Sequence, residues 1–183
     1  RTRRLSFYHP LPFALMLLSH NFLSFLFLPV IVIYLLVFYR QRRLQFISLA
    51  LSLLLAAFFV LPMLFERHYL TSFAAGDFTY LYRDHFVYLS QLFWDTWGHG
   101  HSYAGTGDGF SFALGIATIS LLAWGIIKSF APRAHAIRFY TLLTLLCLFL
   151  LLPISTFIWQ AFPPLQIIQF PWRLLAFIPL ATA

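Results

Sequence analysis

LQFISLALSLLLAAFFVLPMLF, residues 44–65, runs for 22 residues without a charged side chain. Arg40, Arg42 and Arg43 stand just before it and Glu66 directly after it. At about 1.5 Å of rise per residue, a helix over this stretch is about 33 Å long. That is enough to cross a hydrocarbon core of about 30 Å. Arginines at one end and an acid at the other give the helix a direction, with the basic end cytoplasmic.

The same pattern extends outward along the chain. Phe110–Phe130 is apolar with only Lys128 near its end, and Ile137–Ile158 has only Arg138 at its start. Pro171–Ala183 begins a further hydrophobic segment and stops. Apolar residues make up 61% of the chain and charged residues 9%, with a mean hydropathy of +0.83. A soluble domain carries about 25% charged residues, so lipid is expected to solvate much of this one. The expected fold class is all-α, a polytopic transmembrane helix bundle forming a single transmembrane domain. From the start at Arg1 and the broken-off last segment, a fragment of a longer multi-pass protein is expected. The expected location is a bacterial inner membrane.

Charge is segregated. All five acids, Glu66, Asp77, Asp84, Asp95 and Asp108, fall between the spans at 44–65 and 110–130, in a loop over residues 66–109. His68, His85, His99 and His101 lie there too. Arg1, Arg3, Arg4, Arg40, Arg42, Arg43, Lys128, Arg133 and Arg138 form acid-free clusters. These clusters belong in the cytoplasm, and the acidic loop in the periplasm or outside the cell. The formal charge of +7 comes from residues that flank spans. It forms no soluble basic face, so the expected partner is membrane lipid and not nucleic acid. Cys147 stands alone in an apolar run, which excludes a disulfide framework and a cysteine-based metal site.

Pro10–Tyr39 holds 30 residues without a charge, with an arginine cluster at each end. One straight helix would be about 45 Å long and would put one cluster on the wrong side. Ser19-His20-Asn21 interrupts its middle. One answer is a long tilted helix, with His20 and Asn21 hydrogen-bonding between helices. The other, which is preferred, is a hairpin of two short helices turning at His20-Asn21.

Within the loop, Tyr82, Phe86, Leu89, Phe93 and Trp97 recur at steps of four and three. Asp84, Tyr88, Gln91 and Asp95 lie opposite. This periodicity predicts a short amphipathic helix. Residues 98–109 follow, with five of the eight glycines, a stretch that can approach a ligand or another backbone closely.

Asp84, His85, Asp95, His99, His101 and Asp108 are the candidates to line a cavity. His99-x-His101 supplies metal-ligand types, but no spacing fixes a third ligand. The plain alternative is solvated loop histidines, and helix caps or loop residues for the acids. Arg173 follows Pro171-Trp172 and falls about one turn inside a hydrophobic segment. An arginine at that depth is costly, and its fork matches phosphate oxygens; the plain alternative is snorkelling or pairing with a loop acid. His20 and Asn21, at the outer turn of the hairpin, would share its depth.

Several motifs carry a resemblance. They are Leu18-Ser19-His20-Asn21, Tyr82-Arg83-Asp84-His85-Phe86 with Gln91-Leu92-Phe93, Trp97-Gly98-His99-Gly100, Ser111-Phe112-Ala113-Leu114-Gly115 and Gln169-Phe170-Pro171-Trp172-Arg173. They resemble a group of uncharacterised bacterial integral membrane proteins labelled as related to 6-pyruvoyl-tetrahydropterin synthase, though nothing here resembles that soluble fold. More broadly the chain resembles GT-C glycosyltransferases. That resemblance implies transfer of a sugar from a polyprenyl-phosphate carrier on the outer side of the membrane. A general base would activate the acceptor, and a divalent cation would stabilise the leaving phosphate. Catalytic carboxylates of such enzymes usually lie in an earlier outer loop, so none is assigned here. Arg173, His20 and Asn21 are the expected contacts to the carrier phosphate. A transporter or flippase of a lipid-linked or small substrate is the rival, and a membrane assembly scaffold the third reading.

The charge segregation is directly testable. With Cys147→Ser as background, a cysteine at Thr79 is expected to react with an impermeant thiol reagent added outside intact cells. A cysteine at Gln41 is expected to stay unlabelled, and the reverse pattern would overturn the topology.

Overall fold

A computed structural model describes residues 10–39, 42–66, 69 and 81–179. Arg1, Arg3, Arg4, Arg40, His68, Asp77 and the tail 180–183 lie outside the described residues. Every regular element among the described residues is helical and none is a strand, so the protein is all-α. The chain divides into two compact units, Arg1–Ala75 and Gly76–Ala183.

The first unit holds α1 (Pro10–Ser19), α2 (Asn21–Phe38), α3 (Arg42–Leu55) and α4 (Ala57–Phe65). The long apolar segment is therefore two helices, interrupted at His20. The Ser24 hydroxyl bonds both the His20 carbonyl at 2.8 Å and the Met16 carbonyl at 2.7 Å. In a straight helix, residues eight apart are about 12 Å apart along the axis, so the second bond shows that the axis turns. The Ser52 hydroxyl bonds the Pro10 carbonyl at 2.8 Å, tying α3 to the start of α1.

The stretch 44–65, expected as one straight helix, bends by 71° between α3 and α4. Ala56 sits at the bend with φ −90° and ψ 0°, right-handed but at the bridge edge of the α basin. Ala56 is fully buried.

The second unit is built on α7 (Gly115–Ser129) and α8 (His135–Leu150), an antiparallel hairpin. α5 (Leu81–Asp84) and α6 (Leu89–Phe93) precede it, and α9 (Thr156–Ala161) follows it. Tight 3₁₀ runs occupy Pro163–Ile168 and Pro171–Phe177. The two long helices meet through small side chains. A Cβ on Gly125 would lie 3.3 Å from Thr141 Oγ1, and Thr141, Thr144 and Cys147 are buried along the α8 face. Small and hydroxyl residues at a helix seam are what lipid-embedded helices use for close approach.

Arg138 donates two bonds to the Ser129 carbonyl, closing the 130–134 turn beside Lys128 and Arg133. The basic residues thus cap one end of the hairpin. The loop that carries Asp84, Asp95 and Asp108 packs on the other end, about 22 Å away over a 15-residue helix.

Several expected spans are cut short. No single helix among the described residues is long and apolar enough to cross a membrane; α3 with α4, and α8 with Pro153–Ala161, pass that test only as bent pairs. The expected helix over 137–158 stops at Leu150 and the chain turns by 89°. Pro153 is the reason. It disfavours helical geometry at the residue before it, and Leu152 is extended at φ −86°, ψ 148°. The span expected from residue 110 starts at Gly115: the Leu114 amide bonds the Leu92 carbonyl instead of a helical one, the Phe112 amide is held by Asp95, and Gly115 has a positive φ of 74°. The segment from Pro171 opens as a 3₁₀ run to Phe177.

The amphipathic helix expected over Tyr82–Trp97 is also corrected. It is two short turns, with 85–88 non-helical between them. The Val87 amide bonds the Leu151 carbonyl at 2.9 Å, a tertiary bond that replaces the helical one. Tyr82 and Phe86 are buried as the periodicity requires, but Leu89, Phe93 and Trp97 face outward.

The Gly125–Thr141 contact sets a stability test. Gly125→Leu is expected to cost about 1–3 kcal/mol by overpacking and to lower the thermal midpoint in detergent. Gly125→Ala needs only a small shift of the Thr141 side chain, and its midpoint should stay close to wild type.

Candidate functional site

A helix leaves its last four carbonyls without helical partners. At the end of α8 the Phe149 carbonyl is taken by the Leu152 amide, and the Leu150 and Leu151 carbonyls are filled from elsewhere. The Trp159 indole donates to the Leu150 carbonyl at 2.9 Å. The Ser155 hydroxyl reaches the Leu150 and Leu152 carbonyls, both at 2.8 Å. Val87 takes Leu151, as above. Tyr82 then stacks on Trp159 at 5.3 Å between ring centroids, and Phe86 meets it edge-on at 5.8 Å. Val87, Leu92, Phe112 and Leu151 form the apolar core beneath the loop.

On this base the loop is closed by its acids. Gln91 accepts the Tyr88 amide at 2.8 Å, capping α6, and donates to Asp108 Oδ2 at 2.8 Å. Asp108 Oδ1 accepts the Tyr103 amide at 2.9 Å. Asp95 accepts the Thr96 amide on one oxygen and the Phe112 amide on the other, both at 2.9 Å. The glycine stretch closes on itself, with the Gly100 amide bonding the Gly109 carbonyl at 2.7 Å and the Gly109 amide bonding the His101 carbonyl at 2.8 Å. The crossing admits no side chain, since a Cβ on Gly100 would lie 2.8 Å from the Gly109 Cα. Asp108 is buried with Gln91, and its carboxylate serves as a staple between α6 and the glycine loop.

Arg173 is held at a second cluster. Gln169 has φ 65° and ψ −44°, and the Phe170 amide bonds the Ile168 carbonyl across it at 2.7 Å. This is a γ-turn with positive φ, rare and strained for a residue with a side chain. Such strain costs about 1–3 kcal/mol and gathers at functional sites. Arg173 Nη1 donates to the same Ile168 carbonyl at 2.8 Å. A bond from a charged donor is worth about 1.5–3 kcal/mol, of the same order as the strain. The guanidinium lies over the Phe170 ring at 4.7 Å from its centroid. His85 meets that ring edge-on at 4.8 Å, and its Nδ1 is hydrogen-bonded to the Ser102 hydroxyl at 2.8 Å. Trp172 packs against Phe110, Phe112 and Phe170, with a buried indole nitrogen that has no hydrogen-bond partner among the described residues.

The cavity candidates therefore separate. His85 and Arg173 share the Phe170 ring. Asp95 and Asp108 are engaged by backbone amides and Gln91. Asp84, His99 and His101 are exposed; His99 meets Trp97 and His101 meets Tyr103 edge-on. Among the described residues no three His, Cys, Asp or Glu side chains gather as a metal site. His20 and Asn21 belong to the first unit. Ser102, Phe170 and the Gln169 turn are the parts of the cluster that residue patterns did not single out for a role. Glutamine carries no sequence signal for positive φ. No family model, curated protein or solved structure matches the chain.

The Asp108 staple can be tested. In Asp108→Asn an amide group would face the Gln91 amide donor, so about 1.5–3 kcal/mol of charged hydrogen bonding is lost. Limited proteolysis is expected to cut residues 101–108 faster in the variant, while the α7–α8 hairpin stays protected.

Proposed function

We propose that this chain belongs to a multi-pass inner-membrane protein of GT-C-like design, which engages the phosphate of a polyprenyl-phosphate carrier on the outer side. Membrane embedding is supported by an inside-out distribution of side chains. Ser48, Ser52, Thr144, Ser155 and Gln91 are buried, while Leu54, Phe58, Ile127 and Leu142 are exposed. Exposed large apolar side chains along the helices of each unit suit lipid or a partner better than water.

The observation that carries the phosphate reading is Arg173. It is half-buried on an aromatic floor, at the end of the hairpin opposite the basic turn. Arginines that merely anchor topology collect on the cytoplasmic side. On the membrane reading this one would face the carrier headgroup, with His85 at the same ring. A guanidinium on an aromatic face is pre-oriented for planar, two-point contact with phosphate. In this reading Arg173 binds the phosphate and His85 adds a second hydrogen-bonding group. The stapled loop shields the contact from water. A sugar transferred from the carrier, with a divalent cation on the leaving phosphate, is the reaction such a site would serve.

A transporter of a lipid-linked or small substrate is the second reading. The bends of 71° and 89° favour it, because transporters bind substrates at broken helices. Movement of a labelled substrate across reconstituted vesicles, without sugar transfer, would select it.

Lysine at position 173 can still donate one bond to Ile168 but loses the fork. Arg173→Lys is therefore expected to fold normally and to bind polyprenyl phosphate more weakly. A charged hydrogen bond of about 1.5–3 kcal/mol corresponds to about tenfold to a hundredfold in affinity. Equal affinities at equal folded amounts would leave Arg173 as a clip for the γ-turn and remove the phosphate reading.

A further inference from the structure

Trp94 and Trp97 are 88% and 87% exposed, among the most exposed large apolar side chains of the described residues. Leu89 and Phe93 beside them are also exposed, at 60% and 61%. The break at 85–88 turns this group outward, although helical periodicity alone would bury Phe93 and Trp97 with Tyr82. We infer that the Leu89–Trp97 segment is a foot that rests in the outer headgroup region of the bilayer, with Trp94 and Trp97 as its anchors.

Three observations favour lipid as the occupant. Indoles prefer the membrane–water interface, where the ring is apolar and the N–H stays hydrated. The segment is also continuous with the proposed lipid-facing surface: Leu114 bonds the Leu92 carbonyl, and Ile116, at the head of α7, is 86% exposed. Finally, its one charge is already spoken for. Asp95 is the only ionisable acid or base between Leu89 and Trp97, and both of its oxygens accept backbone amides. No free carboxylate has to be desolvated when the aromatic side chains settle into the interface. The attraction is apolar and independent of anionic lipid, since the segment has no Lys or Arg. The foot would hold the loop, and with it the His85–Phe170–Arg173 cluster, at headgroup depth.

This inference rests on the membrane reading, so the experiment separates the two. The protein is reconstituted in phosphatidylcholine nanodiscs with one environment-sensitive fluorophore, in a Cys147→Ser background. Labels are placed at Trp97→Cys, at Leu142→Cys on the exposed mid-face of α8, and at Thr106→Cys in the glycine loop. Expected is loss of emission at position 97 to a spin label near the lipid headgroup, with shielding from an aqueous quencher relative to position 106. Position 142 should respond to a spin label near the chain end. If 142 responds and 97 is as open to the aqueous quencher as 106, the foot is wrong and the membrane reading stands. If 97 is shielded from both quenchers, a protein surface covers it, which also overturns the proposal. If 142 ignores lipid-borne labels, the membrane reading itself fails.

Discussion

The end of α8 is the constraint on which the second unit depends. Pro153 forces Leu152 into extended geometry, so the helix stops at Leu150 and the Leu150 and Leu151 carbonyls are left for partners outside it. Buried carbonyls without partners are costly. Here they are satisfied by Trp159 from the chain that follows, by Ser155 at the turn, and by Val87 from the loop that precedes the hairpin. One broken helix thereby seats the loop. Tyr82 and Phe86 stack on the same Trp159 that completes the helix end.

The polar residues of the unit follow from that seating. Once Val87 is fixed, α6 lies close enough for Gln91 to join the Tyr88 amide to Asp108. Asp95 reaches the Phe112 amide just ahead of α7. Carboxylates that look available for chemistry are used to hold backbone, and the functional reading moves to Arg173 and His85 about the Phe170 ring. The γ-turn at Gln169 belongs to the same logic. Its strain is offset by a charged bond from Arg173 to the turn's own carbonyl, so the residue that stabilises the turn is also the one proposed to meet the carrier phosphate.

Much of the helical content was legible in the sequence. An uncharged run marked α3 with α4, runs with a single basic residue marked α7 and α8, and Ser19-His20-Asn21 marked the interruption between α1 and α2. The segregation of acids from bases has a structural counterpart in the hairpin, whose ends carry the 130–134 basic turn and the acidic loop. Helix ends were less legible. Pro153 stands in plain view inside the 137–158 run, yet the helix stops at Leu150 and not near Ile158. The break in Tyr82–Trp97 had no local signal at all.

The sequence by itself determined that this protein is helical, that its composition is strongly apolar and poor in charge, and that its charges divide into acidic and basic groups. These follow from composition and from local periods, which act between near neighbours. Only the tertiary structure decided where the helices stop, which carboxylates become staples, and which aromatic residues face out. The reason is that a backbone amide bonded to a distant carbonyl, as Val87 is to Leu151, is worth about as much as one bonded within a helix. Local periodicity cannot say which partner wins when the two compete.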